Sequence, residues 1–323
     1  MPLKAGTARG LRFLLRRQLP SGEFPTVRSN ERSFIRAQVQ SNVFTTAVIL
    51  HALRSVKEDA EVQAAARKGI EWLQAQRDSS GFWVFWGRSM ESRPPADRIP
   101  PDVDCSAHVV SVFRDWRVNF PYGAYARALA KYRNTDGLFS TWMAGTGLDW
   151  HPAIKPFIDR RDVDPVVNAN AAYLFQQQGM ILPEIEKYLK NQVVRRKFHR
   201  PSHYYFSAAI FVYALSKLAS DCPRLMEGKK GKACQDVLLS LIAEEDAAKV
   251  TPLEKAMALS AAAKASIPLP KAPVDRVLAE LRELQAEDGG WRPYPLHSFY
   301  FLHYGSRELT TALVVEAMAL RGG

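Results

Sequence analysis

Cysteine is scarce in this chain, with three residues at Cys105, Cys222 and Cys234. So few, so unevenly spaced, exclude a disulfide framework and a four-ligand zinc site, and they suit a reducing cytosol. No run of about 18 apolar residues occurs, so no membrane-spanning helix is expected. The stretch from Met1 to Arg17 is basic but lacks the apolar region of a secretory signal. A cytoplasmic protein is the expectation, with peripheral contact on the inner membrane face left open. Asn-Gly hairpin signals are missing and Val and Ile fall inside helical periods, so strands are expected to be few. Glycine-rich phosphate loops, HExxH and Cys-x-x-Cys are absent. So is any D-D-x-x-D or similar aspartate cluster that could hold magnesium and a diphosphate. No metal site and no cofactor are expected.

What the chain does have is bulk and positive charge. It has 323 residues, of which 47% are hydrophobic, enough for a large core. Lys and Arg number 44 against 33 Asp and Glu, a net charge of +11 that could suit nucleic acid, an anionic membrane surface or an anionic substrate. No basic run interleaved with aromatics forms a nucleic-acid stripe, and the densest cluster, Lys229, Lys230 and Lys232, lies in a glycine-containing stretch read as a loop. Nucleic acid is therefore not an expected partner. A small molecule is, and oligomeric state is left undetermined.

The organisation is repetitive. An amphipathic segment ends in Gln, then a short loop with Gly, then an aromatic residue. Gln18 to Phe24 (QLPSGEF), Gln76 to Trp83 (QRDSSGFW) and Gln285 to Trp291 (QAEDGGW) are clear copies, and Asp136 to Phe139 (DGLF) is a weaker one. Recurrence at intervals of some tens of residues signals stacked helical units. After each loop comes a more apolar helix, predicted over Asn42 to Leu53, Asp102 to Phe113, Pro165 to Phe175, Tyr204 to Leu218 and Glu308 to Leu320. These are apolar nearly all round, whereas Glu61 to Gln76 and Asp275 to Gln285 are polar on one face, so inner and outer helices should alternate.

The Gln-to-aromatic punctuation resembles the QW repeat of the squalene–hopene and oxidosqualene cyclase superfamily of class II terpene cyclases. The resemblance implies an all-α fold, a single α/α toroid spanning residues 1–323, of the single-domain type that acts on meroterpenoids. The segment Gly81-Phe-Trp83-Val-Phe85 followed by Pro101-Asp102-Val-Asp104-Cys105-Ser-Ala107-His108 is similar to the G-x-F/W-x-F and P-D-V-D-D-T-A motifs of hopene cyclases. By that likeness Asp104 is the general acid, Asp102 its neighbour, His108 the residue that orients or reprotonates it, and Phe85 a cation-stabilising aromatic. Cys105 stands where hopene cyclases have a further Asp, as in the D-C-T-A of oxidosqualene cyclases, which take epoxides. The run Asp104 to Val110 also resembles the family's D-V-T-A-H-V-L, which would shift the repeats by one.

Independently of any family, the chemistry needs a carboxylic acid that is neutral and dry. A nearby carboxyl and burial both raise a carboxyl pKa, while the N-terminal end of a helix lowers it. Pro100-Pro101-Asp102-Val-Asp104 also reads as an ordinary helix start with acidic residues in its first turn. Asp162-Val-Asp164-Pro165 repeats the pattern, with Asp164 a ready N-cap and Asn168 at the position where the resemblance implies a His. Asp164 and Asn168 are second-tier catalytic candidates. The chain has 7 Trp, 11 Tyr and 16 Phe. Of these, Phe85, Trp86, Trp142, Trp150 and Tyr294 fall in or after the loops that would rim a toroid and are candidates to line a cavity and shield carbocations. Trp83 and Trp291 are read instead as locks between repeats. The expected ligand is a linear isoprenoid or a prenylated aromatic. A protein-prenyltransferase-like toroid, an inverting glycosidase and a non-catalytic toroid that binds a protein partner are the competing readings.

Overall fold

The computed structural model describes residues 3–94, 97–144, 150–159, 162–195, 202, 204–221, 227–246, 249–299 and 301–322. Cys222 lies outside the described residues. The helices are α1 (Ala5–Arg17), α2 (Val43–Leu53), α3 (Ala60–Ala75), α4 (Val103–Asp115), α5 (Tyr122–Ala130), α6 (Lys155–Asp159), α7 (Pro165–Gln176), α8 (Pro183–Val194), α9 (Ala208–Asp221), α10 (Gly228–Ala243), α11 (Pro252–Lys264), α12 (Lys271–Glu283) and α13 (Arg307–Leu320).

Six of them form a closed inner ring, each packed on the next in the order α2, α4, α7, α9, α11, α13 and back to α2. Every residue of α2 is buried, as an inner helix apolar on all sides requires. Preceding each inner helix in the chain is an amphipathic outer one: α1, α3, α5, α8, α10 and α12. This is the expected α/α toroid. The short α6 is an insertion between α5 and α7.

The punctuation is visible as one local structure used four times. A side-chain N–H donates to the carbonyl of a glycine four residues on: Gln18 to Gly22 (2.7 Å), Arg77 to Gly81 (2.7 Å), Arg133 to Gly137 (2.7 Å) and Gln285 to Gly289 (2.8 Å). All four glycines have positive φ, between +77° and +100°. Two residues later a large ring is buried: Phe24, Trp83, Phe139 and Trp291. The second copy therefore uses Arg77, not Gln76, whose carbonyl instead accepts from the Arg88 N–H. Arg77 and Arg133 supply the same donor geometry as an amide, which a search for Gln overlooks.

These turns weld the ring. Gln18 also donates to Ala65 on α3, and Gln285 to Gly6 on α1, so the last repeat locks onto the first. At Gly289 a Cβ would stand 2.5 Å from the Arg9 carbonyl, so the approach and the positive φ both require glycine. Trp83 and Trp291 each donate from the indole to a carbonyl ten residues back, Leu73 and Leu281, at 2.7 Å. Burying a ring of 150–250 Å² contributes roughly 4–6 kcal/mol at about 25 cal/mol/Å², an upper bound.

Four differences from the sequence reading stand out. First, a four-stranded antiparallel sheet, ordered β2 (Gln38–Gln40), β1 (Thr26–Ser29), β4 (Leu302–Gly305), β3 (Pro295–Phe299), joins the two ends of the chain. Its strands have three to five residues, too short for alternation to register. Second, Lys229, Lys230 and Lys232 belong to α10, which Gly228 opens and which buries Cys234, Leu238, Leu241 and Ile242. Third, α9 begins at Ala208, not near Tyr204: the Ser207 hydroxyl accepts from the Ala209 N–H at its start, and Tyr204 and Tyr205 lie in the loop before it. Fourth, the fifth inner helix, α11, is alanine-rich and was not singled out; Thr251 and Glu254 form its capping box.

Candidate active site

The repeat fixes what each acidic residue at the top of the ring does. Every inner helix that follows a turn copy starts with a side-chain cap: Asn42 accepts from the Thr45 N–H, Asp102 from Cys105, Asp164 from Val166 and Val167, and Ser306 from Leu309. A second polar side chain then accepts from the backbone N–H of the buried ring: Thr46 for Phe24, Ser106 for Trp83, Asn168 for Phe139 and Thr311 for Trp291. Asp102, Asp164 and Asn168 thus occupy positions that the other repeats fill with Asn, Ser or Thr. Their local task is to close helix ends and loops.

Asp104 does not belong to that set. Two residues past the cap, the other repeats have Phe44, Val166 and Glu308, and Glu308 is held by Arg17 at 2.7 Å. Among the described residues Asp104 meets no cation at ion-pair distance other than, when protonated, His108, whose Nε2 is 3.9 Å from its Oδ1. Its Oδ1 accepts from the Asn170 amide at 2.8 Å and its Oδ2 from the Tyr205 hydroxyl. Burial pushes the Asp104 carboxyl above the ordinary range, against the opposing pull of those two hydrogen bonds and of the Lys217 field. The net direction favours a proton held on the carboxyl. Asp102 is likewise buried and pushed up to about 7, by desolvation first and by the charge of Asp104 as well; among the described residues its Oδ2 has no hydrogen-bond partner.

Asp102 and Asp104 open onto a cavity of about 610 Å³, counted to its mouth. Its walls are aromatic: Phe44 on α2; Phe85, Trp86, Trp142, Tyr204 and Tyr205 from loops; and Phe299 and Tyr304 from the sheet. The sheet forms one side, with His297 on β3 stacked on Tyr304 of β4 at 4.9 Å and edge-on to Phe44 and Phe85. His297 is buried, among the described residues neither ring nitrogen has a partner, and desolvation pushes its pKa down to about 3, so it is neutral.

The candidates separate accordingly. Asp104, Asp102, Phe85, Trp86 and Trp142 come together on the cavity, and Trp142 donates to the Tyr204 hydroxyl at 2.9 Å. His108 sits beneath Asp104 on a separate small cavity, and the contacts expected of it are made by Asn170 and Tyr205. Asn168 uses its amide on Phe139 N–H, Phe139 C=O and Asp164 C=O, each at 2.9 Å, and none of it faces Asp104. Asp164 is a cap that also meets the Ser202 hydroxyl. Trp150 packs beside the cavity wall, with Val84, Met90, Ile99 and Ile154, rather than on it. Tyr294 is away from it: Thr310 holds its N–H and its ring lies against Arg292 on the outer rim. Sequence reasoning missed Asn170, Tyr205, His297 and Phe44. Asn170 had a signal, a buried amide on a helix whose cap and loop contacts were already supplied by Asp164 and Asn168. Tyr205 and His297 had none, because they reach Asp104 and the cavity from loops and strands far away in the chain.

Among the described residues no group of three or more His, Cys, Asp and Glu side chains is placed to hold a metal ion, and no helix is long and apolar enough to cross a membrane. No family model and no curated protein matches the sequence. Solved structures are similar to this chain, among them the following two. A protein from Actinoplanes superposes with a TM-score of 0.72 at 17% identity, over 99% of both chains. The ent-copalyl diphosphate synthase from Streptomyces platensis superposes with a TM-score of 0.56 at 14% identity, over 87% of this chain and 50% of the synthase. This chain thus spans about half the length of the synthase. At these identities the likeness is one of fold, a terpene cyclase-like helical toroid.

Proposed function

We propose that this protein is a class II terpene cyclase, which closes rings in a linear isoprenoid or prenylated aromatic by protonating it from Asp104. The observation that carries the reading is the isolation of Asp104: a buried carboxyl without a structural role in its repeat, facing an aromatic cavity. The Asp104 proton adds to one carbon of a terminal alkene, or to an epoxide oxygen, and leaves a carbocation. Neighbouring alkenes attack it in turn. As the proton departs, negative charge grows on Asp104, and the Tyr205 and Asn170 donors stabilise it in place. Phe44, Phe85, Trp86, Trp142 and Phe299 offer ring faces to the migrating charge, worth up to roughly 2 kcal/mol each when desolvated, and exclude water that would quench it. In this scheme a C–H bond of the final cation gives its electron pair to a new alkene and its proton to neutral His297, whose unpartnered nitrogens stand in the cavity wall.

The test is to incubate the purified protein, with a chelator present, with a panel of polyprenyl and prenylated aromatic substrates. Products of unchanged mass with fewer alkene protons by NMR are expected. Recovery of every substrate unchanged, or activity that requires an added divalent ion, would overturn the proposal in favour of a binding toroid or a metal-dependent enzyme respectively.

A further inference from the structure

Behind Asp104 lies a second, smaller cavity that the proposed function does not use. It is large enough to enclose a water molecule. Its polar lining consists of His108, Asn170, Tyr205, Tyr213 and Lys217. Asn170 and Tyr205 are the two donors on Asp104, and His108 is the imidazole 3.9 Å from it. Lys217, on α9, is buried with 4% exposure. Among the described residues its ammonium makes no ion pair and no hydrogen bond, and lies 5.9 Å from the rings of Tyr173 and Tyr213. An isolated buried ammonium is costly, so it is an exception that calls for a reason.

Two polar clusters lie within reach of the Lys217 charge. Tyr213 donates to Glu316 at 2.8 Å and Lys264 bonds both Tyr213 (3.1 Å) and Glu316 (2.6 Å), while Asp115 joins His51 (2.9 Å) to the half-exposed Arg54 (3.1 Å). The Lys264 side chain keeps 15% exposure, so the first cluster touches solvent.

We propose that the small cavity is the path by which Asp104 recovers its proton, and that Lys217 delivers it through enclosed water. This rests on the assignment of Asp104 as the acid. After each turnover Asp104 is a carboxylate. An N–H bond of the Lys217 ammonium breaks and its proton passes to water; a water proton passes to the Tyr205 oxygen as the Tyr205 O–H proton passes to Asp104, and Lys217 is left as a neutral amine. Solvent, reached past Lys264, returns the proton to the amine. The groups that face Lys217 are Tyr213 on its own helix, Tyr173 on α7, Lys264 on α11, Asp104, His108 and Asp115 on α4, His51 on α2 and Glu316 on α13. Burial first, and the Lys264 charge next, push Lys217 down to about 7, against the pull of Asp104, Asp115 and Glu316. An amine in that range gives and regains a proton readily near neutrality.

The test does not depend on turnover. The carbonyl stretch of protonated Asp104, identified as the infrared band missing from Asp104→Asn, shifts when its O–H becomes O–D. The rate of that shift after transfer to D2O is measured in wild type, in Lys217→Met, and in Ala214→Val, which narrows the cavity and leaves every titratable group in place. Both variants should exchange at least tenfold more slowly while keeping the wild-type circular dichroism. Unchanged exchange in Lys217→Met overturns the role of Lys217, and unchanged exchange in Ala214→Val overturns the cavity as the path. A mere electrostatic role makes a different prediction, since removing the Lys217 charge only lets Asp104 hold its proton to higher pH. The absence of any Asp104-dependent band in wild type would instead refute the acid itself.

Discussion

Tyr205→Phe removes one hydroxyl from the Asp104 pair and leaves the cavity wall in place. The hydroxyl donates to Oδ2 and is buried at the same depth as its acceptor. A hydrogen bond to a charged group contributes about 1.5–3 kcal/mol. At 1.36 kcal/mol for a tenfold change in the ionisation constant, its loss should raise the pH at which Asp104 ionises by about one to two. The sign follows from the direction of donation: the phenol stabilises the carboxylate more than the acid, so Asp104 without it stays protonated longer and protonates less well. Ring closure should slow by roughly 10- to 150-fold if the full charge has formed on Asp104 in the transition state, and less if the transfer is partial. Carbon-13 NMR of labelled aspartate gives the titration, assigned by its loss in Asp104→Asn, and product formation gives the rate. A titration that does not move, with the protein folded, would refute the assignment of Tyr205 as the donor that sets the acid strength.

Asn168→Ala leaves the Phe139 N–H without its partner and removes three hydrogen bonds at 2.9 Å, so unfolding free energy should drop by about 3 kcal/mol in a urea titration. Asp164→Asn keeps the cap, so the variant should remain active and fold well. Burial pushes Asp164 up to about 7 from 3.8, so its contribution is fully present below 3.8 and is lost as pH rises to about 7; the stability of wild type relative to Asp164→Asn should decline across that window, and a flat difference would refute the raised value. His297→Phe preserves the aromatic wall but removes the proton acceptor, and the product mixture should shift toward water-quenched alcohols, as read by mass spectrometry.

The ring was legible in the sequence because its cause is local. Apolar helices such as Val43–Leu53, and turns with a glycine at positive φ four residues after a donor, leave a mark in any single copy. The register of one copy was misread because Arg77 makes the hydrogen bond that Gln makes elsewhere. At the candidate site, Asp104 is singled out in the sequence through its neighbours in the chain, but Asp102, Asp164 and Asn168 are hard to tell from it there. Short Asp-Val-Asp runs spell both a cap and an acid. What separates them is comparison between repeats in space, where Asn42, Asp102 and Asp164 do one job and Asp104 has no counterpart. Tyr205, His297 and Lys217 were invisible for a different reason: nothing about a Tyr in a loop, a His in a five-residue strand or a Lys near the end of an apolar helix announces which cavity the closed ring will turn it toward. Tyr294 shows the converse. It follows Trp291 by the same three residues that separate Trp86 from Trp83, yet it faces the outer rim.

The most direct measurement is the single-turnover rate of product formation by Asp104→Asn with a substrate that wild type converts. Asparagine keeps the volume, can accept from Asn170 through its one carbonyl oxygen and can donate its NH2 to the Tyr205 oxygen, but it has no acidic proton to give. The rate should fall by several orders of magnitude while substrate binding and the melting temperature stay near wild type. An Asp104→Asn protein that still closes rings at a rate close to wild type would contradict the account.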